Sequence, residues 1–336
     1  MARLWIVSLL GVGNLGADPC TAAGTRFQFS QTEMAVPIDL VLYAPTKQVA
    51  TRGAEAAFMR LAELNRVFSD YDPQSELMRL SRTAGEGKAV PVSEDLWRVL
   101  CRSQQVSAAS DGAFDVTVGP VVRLWRRARR EKELPPAHQL QEALSLVGYR
   151  QVRLEPQGHK VELLRKGMRL DLGGIAKGYA AAEALAVLRR AGIPSALIHA
   201  GGDSALGDSP PDKPGWRIGV GMLKPDAPPL EYLLLSRCAV AASGDMWQYV
   251  VINGKRYSHI VDPRTGVGLT DHSSVTVVAP DGATADALAT AVSVLGPERG
   301  LKLIDATPGA AALVLRGSEG KPQVYRSRRW SDLPRP

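Results

Sequence analysis

Cysteine is scarce in this chain: Cys20, Cys101 and Cys238 are the three among 336 residues. So few thiols exclude a disulfide framework. With neither paired cysteines nor a histidine cluster, they also exclude a finger- or ribbon-type zinc site. There is no His-Glu-x-x-His motif and no P-loop, which removes the zinc metalloproteases and the P-loop nucleotide hydrolases. Aromatic residues make up 6% and are not interleaved with arginines in the manner of RNA- or DNA-binding modules. Long apolar runs are missing as well, since the run over residues 4–12 is too short to span a bilayer comfortably. No internal repeat or low-complexity tract is found, so a solenoid is excluded.

What is present begins with bulk. At 45% hydrophobic the chain can bury a full core, and length alone points to about two domains. Lysine and arginine number 41 against 34 acidic residues, a net charge of +7, which favours anionic ligands. The one dense basic run, Arg126, Arg127, Arg129 and Arg130, continues into Glu131, Lys132 and Glu133. It reads as a solvated helix face rather than a nucleic-acid patch. Arg3, the apolar run and the small residues Gly16 and Ala17 have the layout of an export signal. A signal peptide is therefore expected over residues 1–19, with cleavage near Ala17. Cys20 offers a lipid-attachment alternative, although Asp18 and Pro19 fit that recognition badly. Cys101 and Cys238 sit among apolar neighbours and read as buried thiols.

Periodicity gives the rest of the organisation. A polar lead-in ending at Met34 precedes a strand on which Ile38, Leu40 and Leu42 alternate, and Thr46 starts a helix carrying Ala57, Phe58, Leu61, Leu64 and Phe68. A turn-rich stretch over 69–76 holds Tyr71, either a core residue or a platform for a planar ligand. Ser93 caps a second helix, and a third and fourth follow around Trp125 and after Pro136. At residues 168–183, Met168, Leu170 and Leu172 alternate like a half-buried strand, Gly173 and Gly174 break it, and a helix runs on to a stop at Gly192. That layout brings bare backbone to a ligand and presents free N–H groups to an anion; its bland reading is a tight turn with a solvated Lys177. Asn253-Gly254 between apolar runs is a strong hairpin signal. The mixture of hairpins and helices predicts an α/β domain with a largely antiparallel or mixed sheet.

Candidate chemistry is concentrated in two places. Asp286 and Thr290 lie four apart on a helix and so share a face. A carboxylate and a hydroxyl, with a carbonyl from a glycine turn, suit a hard ion such as Mg²⁺, while a helix-start aspartate also complements the macrodipole. His259, before Asp262-Pro263-Arg264-Thr265-Gly266, is either a satisfied structural residue or a proton acceptor titrating near 6.5.

Five blocks, taken together, resemble a known family. They are Phe68-Ser69-Asp70-Tyr71 with Ser75-Glu76; residues 112–120, Gly-Ala-Phe-Asp-Val-Thr-Val-Gly-Pro; residues 171–180, Asp-Leu-Gly-Gly-Ile-Ala-Lys-Gly-Tyr-Ala; residues 259–266; and residues 285–291, Ala-Asp-Ala-Leu-Ala-Thr-Ala. In this order they resemble the ApbE family, the FAD:protein FMN transferases, over about residues 30–315. The resemblance implies a single domain over residues 27–327 with a T-fold-like α/β core. It implies a Mg²⁺-dependent transferase that splits FAD, attaches FMN through a phosphoester to a threonine or serine of a target protein and releases AMP. By motif position the flavin and phosphates would contact Met34, Tyr71, Ala113, Phe114, Asp115, Asp171, Lys177 and Ile260. The metal would take Gly174, Asp286 and Thr290. Among the residues of these blocks His259 alone has an ordinary titration near neutrality, which makes it the candidate catalytic base. The same residues would serve an FAD pyrophosphatase, and a flavin-binding envelope protein without activity is a further alternative. Exported members work in the periplasm, often anchored to the inner membrane, on subunits of membrane redox complexes. One departure is Ala35, where the family usually has glycine.

Overall fold

Antiparallel strand pairing organises the computed structural model, which describes residues 5–6, 24–224, 227–246, 248–317 and 322–336. The chain opens with β1 (Trp5–Ile6), β2 (Thr25–Glu33), β3 (Val36–Ala44), α1 (Lys47–Phe68), α2 (Glu76–Arg82), β4 (Val90–Pro91) and α3 (Glu94–Ala109). Next come α4 (Gly119–Glu131), α5 (Ala137–Ser145), β5 (Val152–Glu155), β6 (Lys160–Leu163), α6 (Ala176–Arg190), β7 (Ala196–Ala200) and β8 (Asp203–Leu206). The remainder is β9 (Trp216–Val220), β10 (Glu231–Leu235), β11 (Cys238–Gly244), β12 (Tyr249–Ile252), β13 (Lys255–Ser258), β14 (Ser273–Ala279), α7 (Gly282–Ala306), β15 (Ala311–Arg316) and β16 (Gln323–Arg326). The main sheet has the order β1-β2-β3-β7-β8-β11-β14-β15-β16, and all its pairings among the described residues are antiparallel. This bears out the expected fold class.

Both faces of that sheet are covered, because side chains alternate across a strand. On β15 and its lead-in, Ala310, Ala312 and Val314 face the larger core, and Ala311, Leu313 and Leu315 face a smaller one. Helices α1, α6 and α7 lie on the first face. On the second, the β9–β10 hairpin and Trp330 complete the packing. Fully burying a large apolar side chain stabilises the fold by about 1.5–3 kcal/mol, so each face contributes substantially. A third cluster joins Val121 and Trp125 of α4 to Ala143 of α5 and to Val250, Ile252 and Tyr257 of the β12–β13 hairpin.

Helix ends follow the sequence signals. Thr46, Ser75, Ser93 and Asp281 accept the N–H of Val49, Met78, Leu96 and Thr284, respectively, satisfying donors that the first turn leaves free. At the end of α6, Gly192 takes φ +79 while Ile193 N–H reaches back to Leu188 O at 2.9 Å, a Schellman closure. Helices α6 and α7 touch backbone to backbone. A Cβ on Gly178 would lie 2.1 Å from Gly282 O, and one on Gly282 would lie 2.0 Å from Gly178 O. Only glycine permits that approach, and it sets the spacing of every side chain near the crossing.

Three expectations change. The lead-in before Met34 is a nine-residue strand, β2, and Met34 and Ala35 form its two-residue turn into β3 with φ of 51 and 61. Residues 168–172 are extended but make one parallel bridge, Arg169 to Val118. Their N–H groups go instead to the Ser81 hydroxyl and Val116 O. Cys101 and Cys238 are half-buried rather than buried, and burial raises both thiols, Cys238 to about 11. The signal peptide expected over residues 1–19 lies outside the described residues except for β1. Among the described residues, no helix is long and apolar enough to cross a membrane.

Candidate functional site

The close crossing of α6 and α7 brings Lys177 and Asp286 together. Lys177 Nζ lies 3.0 Å from Asp203 Oδ2, 3.5 Å from Asp286 Oδ2 and 3.1 Å from Gly173 O. The Gly178 N–H also donates to Asp286 Oδ2 at 3.2 Å. Asp203 and Asp286 are buried, so two carboxylates share one ammonium away from water. Burial opposes the charge on Lys177, but the two carboxylates outweigh it and hold the amine above its ordinary range. Burial, reinforced by Asp203 and opposed by Lys177, pushes Asp286 up to about 7. Asp203 is raised by burial against the pull of Lys177. The solvated-lysine reading therefore gives way to a buried charge centre.

The expected metal donors meet beside it. A Cβ on Gly174 would lie 2.8 Å from Thr290 Oγ1 and 3.3 Å from Phe114 Cε2, so the Gly174 backbone, Thr290 and Phe114 are neighbours. Asp286 and Thr290 sit one turn apart on α7 as their spacing required. Both polar contacts of Asp286 use Oδ2, and Oδ1 has no partner among the described residues. A carboxylate oxygen, a hydroxyl and a carbonyl are hard donors, and this centre carries more carboxylate than ammonium charge. The residues thus fit Mg²⁺. No group of three or more His, Cys, Asp or Glu suited to a metal occurs among the described residues; the set here has one carboxylate supported by neutral oxygens.

Asp171 opens the adjoining wall. Its Oδ1 accepts the Gly173 N–H and its Oδ2 accepts Arg126 Nη2, each at 2.8 Å. Burial and the nearby Asp70 raise its pKa, while Arg126 lowers it. Arg126 also pairs with Asp70 and lies 4.3 Å over the Tyr71 ring. Tyr71 is 72% exposed, which rules out the core reading and leaves an aromatic face open at the site margin. Ala113 and Phe114 are buried. Asp115 is occupied structurally, its Oδ1 accepting from Thr117 N–H and O–H at 2.8 and 2.7 Å and its Oδ2 from Tyr149 N–H at 2.7 Å. Its burial raises the carboxyl against those bonds. Met34 caps the β2–β3 turn and packs partly on the larger core.

His259 follows the β12–β13 hairpin. Its backbone N–H donates to Gln248 O at 3.0 Å, and its Nδ1 lies 3.1 Å from the same oxygen. A carbonyl only accepts, so Nδ1 carries the proton and Nε2 keeps its lone pair. Burial first, then Arg129 and Lys177, pull the imidazole down to about 4, against Gln248 O and Asp245. This corrects the expectation of titration near neutrality. Ile260 is buried and its carbonyl accepts the Leu269 N–H at 2.9 Å. The loop is anchored on α4, where Trp125 Nε1 donates to Gly266 O at 2.7 Å.

Three members of the site were not singled out from the sequence. Asp203 follows the pair Gly201-Gly202 at the end of a buried strand, a glycine turn that could have flagged it. Arg126 and Arg129 belong to the run read as solvated. They are spaced i, i+3 and point inward, Arg129 donating to Gln248 Oε1 at 3.3 Å.

Fold and site together define a class: an antiparallel α/β protein with a buried lysine–carboxylate centre on crossed helices, facing a histidine loop. The ApbE family model matches residues 34–314, and the chain belongs to the ApbE family. It is 32% identical to the FAD:protein FMN transferase of Haemophilus influenzae over 270 residues, 77% of each chain. To that of Treponema pallidum it is 31% identical over 331 residues, 93% of this chain and 91% of the relative. Among solved structures, the ApbE protein of Thermotoga maritima superposes with a TM-score of 0.82 at 30% identity, covering 93% of this chain and all of the other. The flavin transferase ApbE from Vibrio cholerae gives 0.81 at 27% identity, over 92% and 99%.

Proposed function

We propose that this chain is an FAD:protein FMN transferase that, with Mg²⁺, joins FMN through a phosphoester to a threonine or serine of an acceptor protein and releases AMP. The observation that carries this reading is the meeting of Lys177, Asp286, Thr290 and the Gly174 backbone at one helix crossing. Asp286, Thr290 and the Gly174 carbonyl would hold the Mg²⁺. When bound, the ion supplies Lewis-acid stabilisation and a template at the phosphates. Lys177 offsets further phosphate charge, and phosphoryl transfer depends mainly on such positioning and charge. Tyr71 offers its exposed face to a ring, and Asp115 takes part through its main chain because both carboxylate oxygens are engaged. Met34, Ala113, Phe114, Asp171 and Ile260 frame the remainder.

The acceptor hydroxyl oxygen bonds to the FMN phosphorus as the bond from that phosphorus to the bridging oxygen breaks. The electron pair leaves with AMP, and the hydroxyl proton passes to His259 Nε2, whose lone pair is free. We place the mature protein in the periplasm, associated with the inner membrane through its N-terminus, with a redox-complex subunit as acceptor. Cell fractionation tests that placement, and full-length protein confined to the cytosol would count against it. The activity is tested by incubation with FAD, Mg²⁺ and a threonine-bearing acceptor, followed by chromatography and mass analysis. Equal amounts of AMP and FMN-bearing acceptor are expected. Free FMN with an unmodified acceptor would identify a pyrophosphatase instead, and intact FAD would overturn both readings.

A further inference from the structure

Helix α4 carries arginines on two faces. Arg126 and Arg129 reach the site, whereas Arg123, Arg127 and Arg130, spaced i, i+4, i+7, line a separate open groove of about 640 Å³ between α4 and α5. Arg169 joins them from the extended segment before the double glycine. Against these four guanidinium groups the groove wall holds one carboxylate, Glu142. Glu131 on the same helix lies 3.6 Å from Arg127. Arg123 and Arg130 make no ion pair among the described residues and are exposed. Leu124 and Leu146 add apolar lining between the charges.

We propose that this groove docks an acidic, partly apolar segment of the acceptor protein next to the residue that receives FMN. The inference rests on the transferase reading above. Charge complementarity selects an acidic occupant, and the concave, apolar-lined shape suits a peptide better than a bilayer plane. Location adds the connection to chemistry. Trp125 of α4 holds Gly266 O, and a Cβ on Gly266 would lie 3.2 Å from Leu140 Cδ1 of α5. The helices that form the groove thus also anchor the loop that begins at His259, through its far end at Gly266.

The test uses the mature protein and a short fluorescent peptide in which glutamate and leucine alternate about one threonine. Anisotropy titrations compare wild type, a groove variant (Arg123→Glu with Arg130→Glu) and a distant variant of equal charge change on exposed α1 positions (Lys47→Glu with Arg52→Glu). The groove variant is expected to lose at least about tenfold in peptide affinity, the distant variant much less, with FAD titrations alike in all three. Equal loss in both variants, or none in the groove variant, would overturn the proposal. So would a groove variant that keeps its peptide affinity but no longer sediments with phosphatidylglycerol vesicles. Because binding is read directly, peptide capture without FMN transfer counts against the proposed activity alone. FMN transfer with peptide binding insensitive to the groove counts against the groove alone.

Discussion

The two sides of the site are built by different means. Lys177 and Asp286 are set by two helices in backbone contact, with Asp203 beside them at the start of β8, and core surrounds all three. Their charges are tied to one another, so position and ionisation follow from packing that any local change disturbs. His259 stands on a loop, held by two contacts to one carbonyl and by the Trp125 anchor. Its setting rests on a few hydrogen bonds, and the side chain can be removed without emptying the core. The comparison teaches that the positions at the helix crossing depend on packing, while those on the loop depend on a few hydrogen bonds. Under the proposed function the first should therefore decide whether the site forms and the second how fast it works.

The sharpest way to break the first side is Gly178→Ala. The new Cβ would meet the Gly282 carbonyl, which is backbone and cannot turn aside. A loss of about 3 kcal/mol or more is expected, at or above the top of the usual range for overpacking because the Cβ cannot rotate away and the carbonyl it meets is main chain, with activity lost as the crossing opens. Urea denaturation measures it, and an unchanged midpoint would mean that the crossing is looser than described.

Breaking the second side should leave the fold intact. His259→Ala is expected to lower FMN transfer by about two to four orders of magnitude while FAD binding survives. The pH profile sharpens this. A base held near 4 is already neutral well below pH 7, so His259 itself should add no limb to the profile between pH 6 and 9. Any limb near neutrality belongs to Asp286, held near 7 before the ion binds, and should survive in His259→Ala. A limb near neutrality that disappears in His259→Ala would show that substrate binding restores the ordinary imidazole value. Thr290→Val is a smaller change at the first side, replacing a neutral hydroxyl. Its expected effect is a several-fold rise in the Mg²⁺ concentration needed for half-maximal activity, and no rise would remove Thr290 from the ion's shell.

The smallest effect concerns Ala35, which holds φ +61 in the β2–β3 turn. Alanine is disfavoured there and glycine is not, although glycine loses more entropy on folding. Ala35→Gly should therefore stabilise by about 1 kcal/mol or less. A destabilised variant would contradict the turn geometry.

Much of this was legible in the sequence where a local rule acts alone. The caps Thr46 and Ser93, the Asn253-Gly254 hairpin and the shared face of Asp286 and Thr290 each depend on residues a few positions apart. Strand β2 was not legible because it lies near the sheet edge and is mostly exposed, so its apolar alternation is weak. Residues 168–172 alternate like a strand, but side-chain and loop partners took their hydrogen bonds. Arg126 and Arg129 looked solvated because charge density gives no hint that Asp171 and Gln248, far along the chain, will meet them. The lowered imidazole likewise required knowing what packs around His259.

The central claim is that the buried α6–α7 centre performs FAD cleavage. It is tested most directly by AMP release from FAD with Mg²⁺ and acceptor, comparing wild type with Asp286→Ala, and with flavin binding followed by fluorescence in both. The variant is expected to bind flavin yet release AMP about a hundred- to a thousandfold more slowly, because the ion that Asp286 would hold, and that stabilises developing charge, is lost. Equal AMP release by the two proteins would contradict the account.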